Sequence, residues 1–445
     1  MNIQEAKEEI LHTIEAYFAK NEDGSYRIPA LRQRPLLLIG PPGVGKTQIM
    51  SQAAEEAGIG LVSYTITHHT RQSAIGLPKI EQKNFGGSAY SVTEYTMSEI
   101  VASVYERIEA GYPEGILFID EINCVSETLA PTMLQFLQAK TFGNHKLPDG
   151  WLIVAAGNPP EYNKSVREFD IVTLDRIRRL DIEPSFEAWQ KYAARKLLHS
   201  AITTYLGIKP QNFCRFETTV DGRFFSTPRG WEDLSELMYA YEALHISVSR
   251  EMIGEFIQHP EIARDFSNYY DLYNKYEAEY QVDETLDGKI REELCDRLKK
   301  APFDEKFSVV NLLAAKLSAL CKDLDQRADR LTALRDAFHK AETAEGEGGQ
   351  ERSAEALREE FNRLSDAYED AFDETGLKLE HAFNFMEAAF GAGQEMVLFM
   401  TAITSSYYLM RFLKDYECER YYQYNRDLMF EDREAAIQKE LRNLS

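Results

Sequence analysis

Near the start of the chain, Ile3, Ile10, Leu11, Ile14 and Phe18 share one helical face among acidic positions, which predicts a helix. The segment Asn-Glu-Asp-Gly-Ser at 21–25 then predicts a turn. From Pro35 the pattern changes. Four short, nearly continuous apolar runs alternate with helical periodicity: LLLI (36–39), LVSYTI (61–66), ILFID (116–120) and WLIVAA (151–156). Apolar runs without a polar alternate imply strands covered on both faces, and helices between them imply a parallel sheet. The expected fold is therefore an α/β core over residues 26–185, preceded by an N-terminal helix within 1–25. Two stretches interrupt it. Residues 76–96 alternate around Gly86-Gly87, and residues 140–151 carry a turn signal at Gly143-Asn144. Both read as β-hairpins, with irregular surface loops as the alternative.

After about Pro184 the periodicity is helical, with no convincing strand, which predicts an all-α segment over 186–260 and a long helical extension over 261–445. In that extension Leu324, Ala328, Leu331, Leu334 and Phe338 recur at three- and four-residue steps, as do Leu357, Phe361, Leu364, Tyr368 and Phe372. A Gly-rich break lies between the stripes at 341–353. A protruding coiled-coil hairpin over 320–375 satisfies both stripes, and so do two ordinary helices in a bundle. Tyr269, Tyr270, Tyr273, Tyr276 and Tyr280 also keep helical spacing and read as a packing stripe with polar ends. The most apolar stretch, 397–410, covers about fourteen residues where a bilayer span needs roughly twenty. It reads as a buried helix.

Composition narrows the class. At 445 residues the chain exceeds one hydrophobic core, and 44% apolar content is enough to build several. A net charge of -23 without any basic run repels phosphate backbones, so stable nucleic-acid binding is disfavoured. The five cysteines are scattered and never form Cys-x-x-Cys, which points to reduced thiols and a cytoplasmic protein. His68 and His69 stand together without an evident third ligand, so no metal is assigned to them.

The chemistry lies in the first half. Gly40-Pro41-Pro42-Gly43-Val44-Gly45-Lys46-Thr47 follows a strand and opens a helix, the context a phosphate-binding loop requires. Its glycines let backbone N–H groups converge on an anion at the helix N-terminus. Lys46 would neutralise the terminal phosphates of ATP, and the Thr47 hydroxyl would hold Mg²⁺. At the end of the third apolar run, ILFID, Asp120 would share that metal, and Glu121 would serve as the base for an attacking water. Asn158 ends the following strand with an amide able to donate and accept, suited to positioning that water; an Asn opening the turn before Pro159-Pro160 is the structural alternative. Arginines at Arg176, Arg178, Arg179 and Arg229 can spread positive charge over a γ-phosphate.

The ordered set GPPGVGKT, ILFIDE, AAGNPP, LDRIRR and STPRGW resembles the AAA+ ATPases, specifically the MoxR branch with its dynein-related neighbours. The resemblance covers about residues 30–240. It implies a P-loop NTPase core of AAA+ type followed by an all-α lid, with Walker A at 40–47 and Walker B at Asp120 and Glu121. It also implies sensor 1 at Asn158, a finger arginine at Arg176 acting on the neighbouring subunit, and sensor 2 at Arg229. Ile177 stands where the family usually has Phe, and the helical region after about residue 260 is larger than a plain lid. The same resemblance implies a homo-oligomeric ring, usually of six, that remodels or assembles a protein client, commonly beside a von Willebrand factor A domain partner. The segments at 76–96 and 140–151 fall where that branch carries its inserts. A nucleic-acid motor and a nucleotide-dependent scaffold are the other functions such motifs allow. The first is opposed by charge, the second by the complete catalytic set.

Overall fold

In the computed structural model, residues 1–426 are described except 69, 71, 73, 75, 143, 164, 168, 221 and 344–350, with the main chain alone at 68, 338–343 and 351–356. The chain divides into two compact units. Met1–Ala188 and Thr227–Gly230 make the first, while Trp189–Ser226 and the chain from Trp231 onward make the second.

In the first unit, α1 (Ile3–Phe18) precedes β1 (Leu36–Ile39), α2 (Lys46–Ala57) and β2 (Gly60–Thr65). Then come β3 (Pro78–Phe85), β4 (Ser88–Tyr95), β5 (Gly115–Asp120), β6 (Thr141–Phe142), β7 (His145–Lys146), β8 (Trp151–Gly157) and β9 (Arg178–Asp181). Five strands form one sheet in the order β2-β5-β8-β1-β9, every neighbour parallel.

The continuous apolar runs have a simple cause. Alternate side chains of β1, β5 and β8 enter two different cores. Leu37, Ile39, Leu117, Ile119, Ile153 and Ala155 meet Ile100, Val104, Phe136 and Leu137 from helices Glu99–Glu109 and Ala130–Ala139. Leu36, Leu38, Ile116, Phe118, Leu152 and Val154 meet Ile10 and Ile14 of α1 and Met50 and Ala53 of α2. The N-terminal helix thus shares the core of the sheet. It begins with a capping box, Asn2 Oδ1 accepting from the Glu5 N–H at 2.9 Å and Glu5 Oε2 accepting from the Asn2 N–H at 2.9 Å.

Strand β9 carries part of the arginine motif and was not expected as a strand. As an edge strand it buries only Leu180 deeply, so Arg178, Arg179 and Asp181 hide its pattern. The two interruptions are hairpins. β3 and β4 pair antiparallel from Pro78↔Tyr95 to Phe85↔Ser88 across Gly86-Gly87, and β6 pairs with β7. Gly143, half of the second turn signal, lies outside the described residues, as does His69.

The second unit is helical with one correction. Residues after Pro184 do include strands: β10 (Arg215–Thr219) and β11 (Gly222–Ser226) form an antiparallel pair with Phe216 stacked on Phe225 at 6.3 Å. Their short alternation of aromatic and polar residues sits in a helical neighbourhood, where periodicity over a longer window masks it. Helices Phe303–Thr343 and Glu351–Phe390 are the two striped segments. Their proximal halves are packed through Val310, Leu313, Leu317, Phe383 and Met386. Among the described side chains from 325 to 374 none is fully buried; Leu331, Leu334, Phe361 and Leu364 are half-covered along one seam, and Arg330 pairs with Glu360 at 3.1 Å. The two striped segments thus lie against each other there, with the break at 344–350 and the Phe338 side chain outside the described residues. Among the described residues no single helix is long and apolar enough to cross a membrane; the apolar stretch divides at Ser406 into helices Gln394–Ser405 and Tyr407–Asp415, bent by 87°. Ser406 Oγ accepts from Ser318 Oγ at 2.9 Å and from the Leu409 N–H at 3.4 Å, which pins the bend.

At the N-terminal edge of the sheet the Trp151 indole lies across Gly60 and Gly115. A Cβ at Gly115 would stand 2.6 Å from the ring and 2.7 Å from the Gly60 carbonyl oxygen. Gly115→Ala should therefore cost about 1–3 kcal/mol by overpacking. Chemical denaturation measures it, and an unchanged midpoint would show that the ring moves freely.

Candidate nucleotide site

Parallel pairing places the motif residues side by side. β5, β8 and β1 are consecutive neighbours, with Ile119 opposite Ala155 and Ile39 opposite Gly157. The residues that follow them, Asp120, Asn158 and Gly40, leave the same sheet edge on adjacent strands about 5 Å apart. That edge, at the carboxyl ends of the strands, is where open α/β sheets bind ligands.

The loop between β1 and α2 has the conformation its glycines permit. Gly43 and Gly45 have φ of 77° and 94°, in the left-handed region open to glycine. Space adds a second constraint at Gly43, where a Cβ would meet Thr227 and Arg229 at 3.1 to 3.3 Å. Helix α2 begins at Gly45 with no side-chain cap, so its first N–H groups point toward the loop without a competing oxygen from a capping side chain. Lys46 is 8% exposed. Its ammonium donates to the carbonyl oxygens of Gly40 and Pro41, each at 2.8 Å, and to Asn158 Oδ1 at 3.0 Å. Burial lowers its pKa from 10.5 to about 8; Asp120 works in the opposite direction and Arg229 adds to the lowering.

Thr47 is exposed, and its hydroxyl donates to Asp120 Oδ2 at 2.9 Å. A hydroxyl and a carboxylate so placed are the hard oxygen donors that Mg²⁺ prefers. Glu121 adopts a left-handed backbone, φ 58°, uncommon for a residue with a side chain. Its N–H donates to Asp120 Oδ1 at 2.8 Å, and its Oε2 accepts from the Thr67 hydroxyl at 2.6 Å. Lys46, Thr47, Asp120, Glu121 and Asn158 are thus brought together at one edge, with Arg229 beside Gly43.

The other arginines separate. Arg178 donates to Thr13 Oγ1 at 2.9 Å and to Glu9, fastening β9 to α1. Arg179 pairs with Asp181 at 2.8 Å. Arg176 is exposed, bonded to Gln138, and precedes β9, whose Arg178 lies opposite Leu36 at the start of β1. It sits toward the end of the sheet away from the loop. Among the described residues no group of three or more His, Cys, Asp or Glu is arranged to hold a metal ion.

Two residues of the site carry no motif. Thr67 follows β2 and reaches Glu121. Asn123 is buried and bonds to the main chain of Asn158. Neither residue is marked in the sequence: the burial of Asn123 appears only in the assembled fold, where a buried carboxamide is seldom without a partner.

The ammonium of Lys46 gives the site a pH dependence of definite sign. A polyphosphate favours the charged amine, so binding lifts its pKa and takes up a proton wherever the amine was neutral. Affinity should stay level below the value of about 8 and fall as the pH rises through it, by up to about tenfold per pH unit. Calorimetry of ATP binding on either side of that value, in two buffers of different ionisation enthalpy, reads affinity and proton uptake together. Equal affinity and no uptake would mean that Lys46 does not hold the phosphates.

Known proteins agree with this geometry. Residues 36–174 match the family described as ATPase family associated with various cellular activities (AAA). Over 58 residues the chain is 43% identical to the ATP-dependent zinc metalloprotease FtsH of Halothermothrix orenii, a stretch that is 13% of this chain and 9% of that protein. The match therefore spans less than a tenth of that relative. The family span begins at β1 and contains the loop, both carboxylates and Asn158, so residues 36–174 form an AAA ATPase domain, the ATP-hydrolysing part of this chain.

Proposed function

We propose that this chain is a MoxR-type AAA+ ATPase that works as a ring of like subunits, of six by resemblance, and couples ATP hydrolysis to the remodelling or assembly of a protein client. The observation that carries the ring is the position of Arg176. Measured along β1, the Leu36 level lies about 10 Å from the loop at Ile39, and Arg176 lies beyond Leu36. A guanidinium there cannot reach the γ-phosphate held by its own Lys46, whereas a neighbour's nucleotide is open to it.

Within one subunit the roles follow from placement. Lys46 and the loop amides hold the phosphates, Glu121 accepts the proton of the attacking water, Asn158 orients that water, and Arg229 lies beside the loop at Gly43. Thr47 and Asp120 would hold Mg²⁺, which when bound neutralises charge between the terminal phosphates.

A protein client is favoured by the surface. The β3–β4 hairpin exposes Ile80 (75%), Phe85 and Tyr90, and the chain carries -23 charges, which opposes nucleic acid. A von Willebrand factor A domain protein is the partner the resemblance suggests, and the cytoplasm the compartment.

Glu121→Gln should lower kcat by about 10²- to 10⁴-fold while nucleotide still binds, and Lys46→Ala should lose binding. Undiminished turnover by the Gln variant removes the proposed base. The ring is tested separately by mixing Arg176→Ala with Glu121→Gln. Each is inactive alone, yet a mixed ring contains interfaces with an intact finger facing an intact base, so turnover should return. No recovery in a mixture that assembles would place the finger elsewhere.

A further inference from the structure

The geometry points to Asn123 as a positioning residue for hydrolysis: one buried carboxamide sets the spacing between Glu121 and Asn158. The inference rests on the roles just proposed for those two residues and adds a third that no motif names.

Asn123 is 5% exposed and lies in the short 3₁₀ turn Ile122–Cys124 that starts from Glu121. The Cys124 N–H donates to the Glu121 carbonyl at 2.9 Å, so the turn is closed directly behind the base. From this turn the side chain makes a two-point contact with a single main-chain residue. Asn123 Nδ2 donates to the Asn158 carbonyl at 2.7 Å, and Asn123 Oδ1 accepts from the Asn158 N–H at 3.3 Å.

The need for that contact is visible in the sequence. Pro159 and Pro160 follow Asn158 and have no N–H to continue the ladder. The polar main chain of Asn158 therefore needs a partner from outside the sheet. A carboxamide alone offers a donor and an acceptor at matching separation, which a carboxylate or an aliphatic side chain cannot do.

Gly157 is shaped to receive it. A Cβ there would lie 2.4 Å from Asn123 Oδ1 and 2.7 Å from its Cγ, so the amide rests flat on the strand end. Two further bonds return the following segment to the same turn: the Arg167 N–H donates to the Asn123 carbonyl at 2.9 Å, and Asn163 Nδ2 donates to Cys124 Sγ at 3.2 Å. The consequence reaches the chemistry, because Asn158 Oδ1 accepts from Lys46 at 3.0 Å. Asn123 thus fixes the backbone from which the Asn158 amide is aimed, and the same turn fixes the base.

The decisive experiment is a double-mutant cycle on the full-length protein with ATPase kinetics and fluorescent-nucleotide binding. Asn123→Asp keeps the size and the acceptor but sets an oxygen against the Asn158 carbonyl. It should lower kcat by about tenfold to a hundredfold through misplacement of the amide, with KM and nucleotide Kd held within about twofold. In an Asn158→Ala background the same substitution should change kcat by less than about twofold, since the amide that Asn123 aims is gone while Glu121 keeps its own bonds to Asp120 and Thr67. Losses that multiply in the double variant would overturn the inference, and so would wild-type kcat for Asn123→Asp while Asn158→Ala is slow. If Asn158→Ala turns over normally, the role of Asn158 fails and this inference with it. Should the Asp variant not fold, judged by circular dichroism and nucleotide binding, Asn123→Ser removes the two-point contact without adding charge and carries the same expectations.

Discussion

The Lys46 ammonium, enclosed by two carbonyls of its own loop and by the amide of Asn158, ties the phosphate loop to the neighbouring strand. Neutral dipoles do not fully replace water around a buried charge, and the pKa near 8 instead of 10.5 corresponds to about 3 kcal/mol against the charged form. A polyphosphate supplies formal negative charge where the carbonyls supply only dipoles, so the site gains most from the ligand it is shaped to hold. The rest of the site depends on this contact, because Lys46 reaches Asn158 only when β1 and β8 are parallel neighbours in the observed register.

Legibility in the sequence followed the physics of burial. β1, β5 and β8 declared themselves because both faces are covered and no polar alternate interrupts them. The loop declared itself because positive φ restricts Gly43 and Gly45 to glycine, with close approach a second restriction at Gly43. β9 did not, since an edge strand that buries Leu180 leaves its arginines free for other work. β10 and β11 did not, since two short strands within a helical stretch lack the length to set a period. The contacts of Thr67 and Asn123 were illegible for another reason: the partners arrive from segments remote in the chain, and only the assembled sheet edge brings them together.

The arginine motif shows how one stretch can divide its labour. Arg178 and Arg179 are engaged within their own unit, by Glu9 and Thr13 of α1 and by Asp181. Charges so paired hold structure, and redirecting them to a phosphate would leave carboxylates uncompensated. Arg176 is exposed; among the described residues its side chain is hydrogen-bonded to a neutral amide, Gln138, and its charge also acts on Asp170. Of the three, Arg178 alone fastens α1 to the edge strand, and Arg176 is the one whose side chain is hydrogen-bonded to no carboxylate among the described residues.

The same economy explains why Arg229 belongs with the first unit although the chain on either side of it does not. Only Thr227–Gly230 return to that unit, and they do so where Gly43 lacks a side chain. Thr227 Oγ1 accepts from the Gly230 N–H at 3.1 Å, closing the first turn of helix Pro228–Ala243 at the loop. Any residue larger than glycine at 43 would push against Thr227 and Arg229. The positive φ of Gly43 and the approach of these four residues therefore impose one requirement, and a change that disturbs the phosphate loop must also disturb the placement of Arg229.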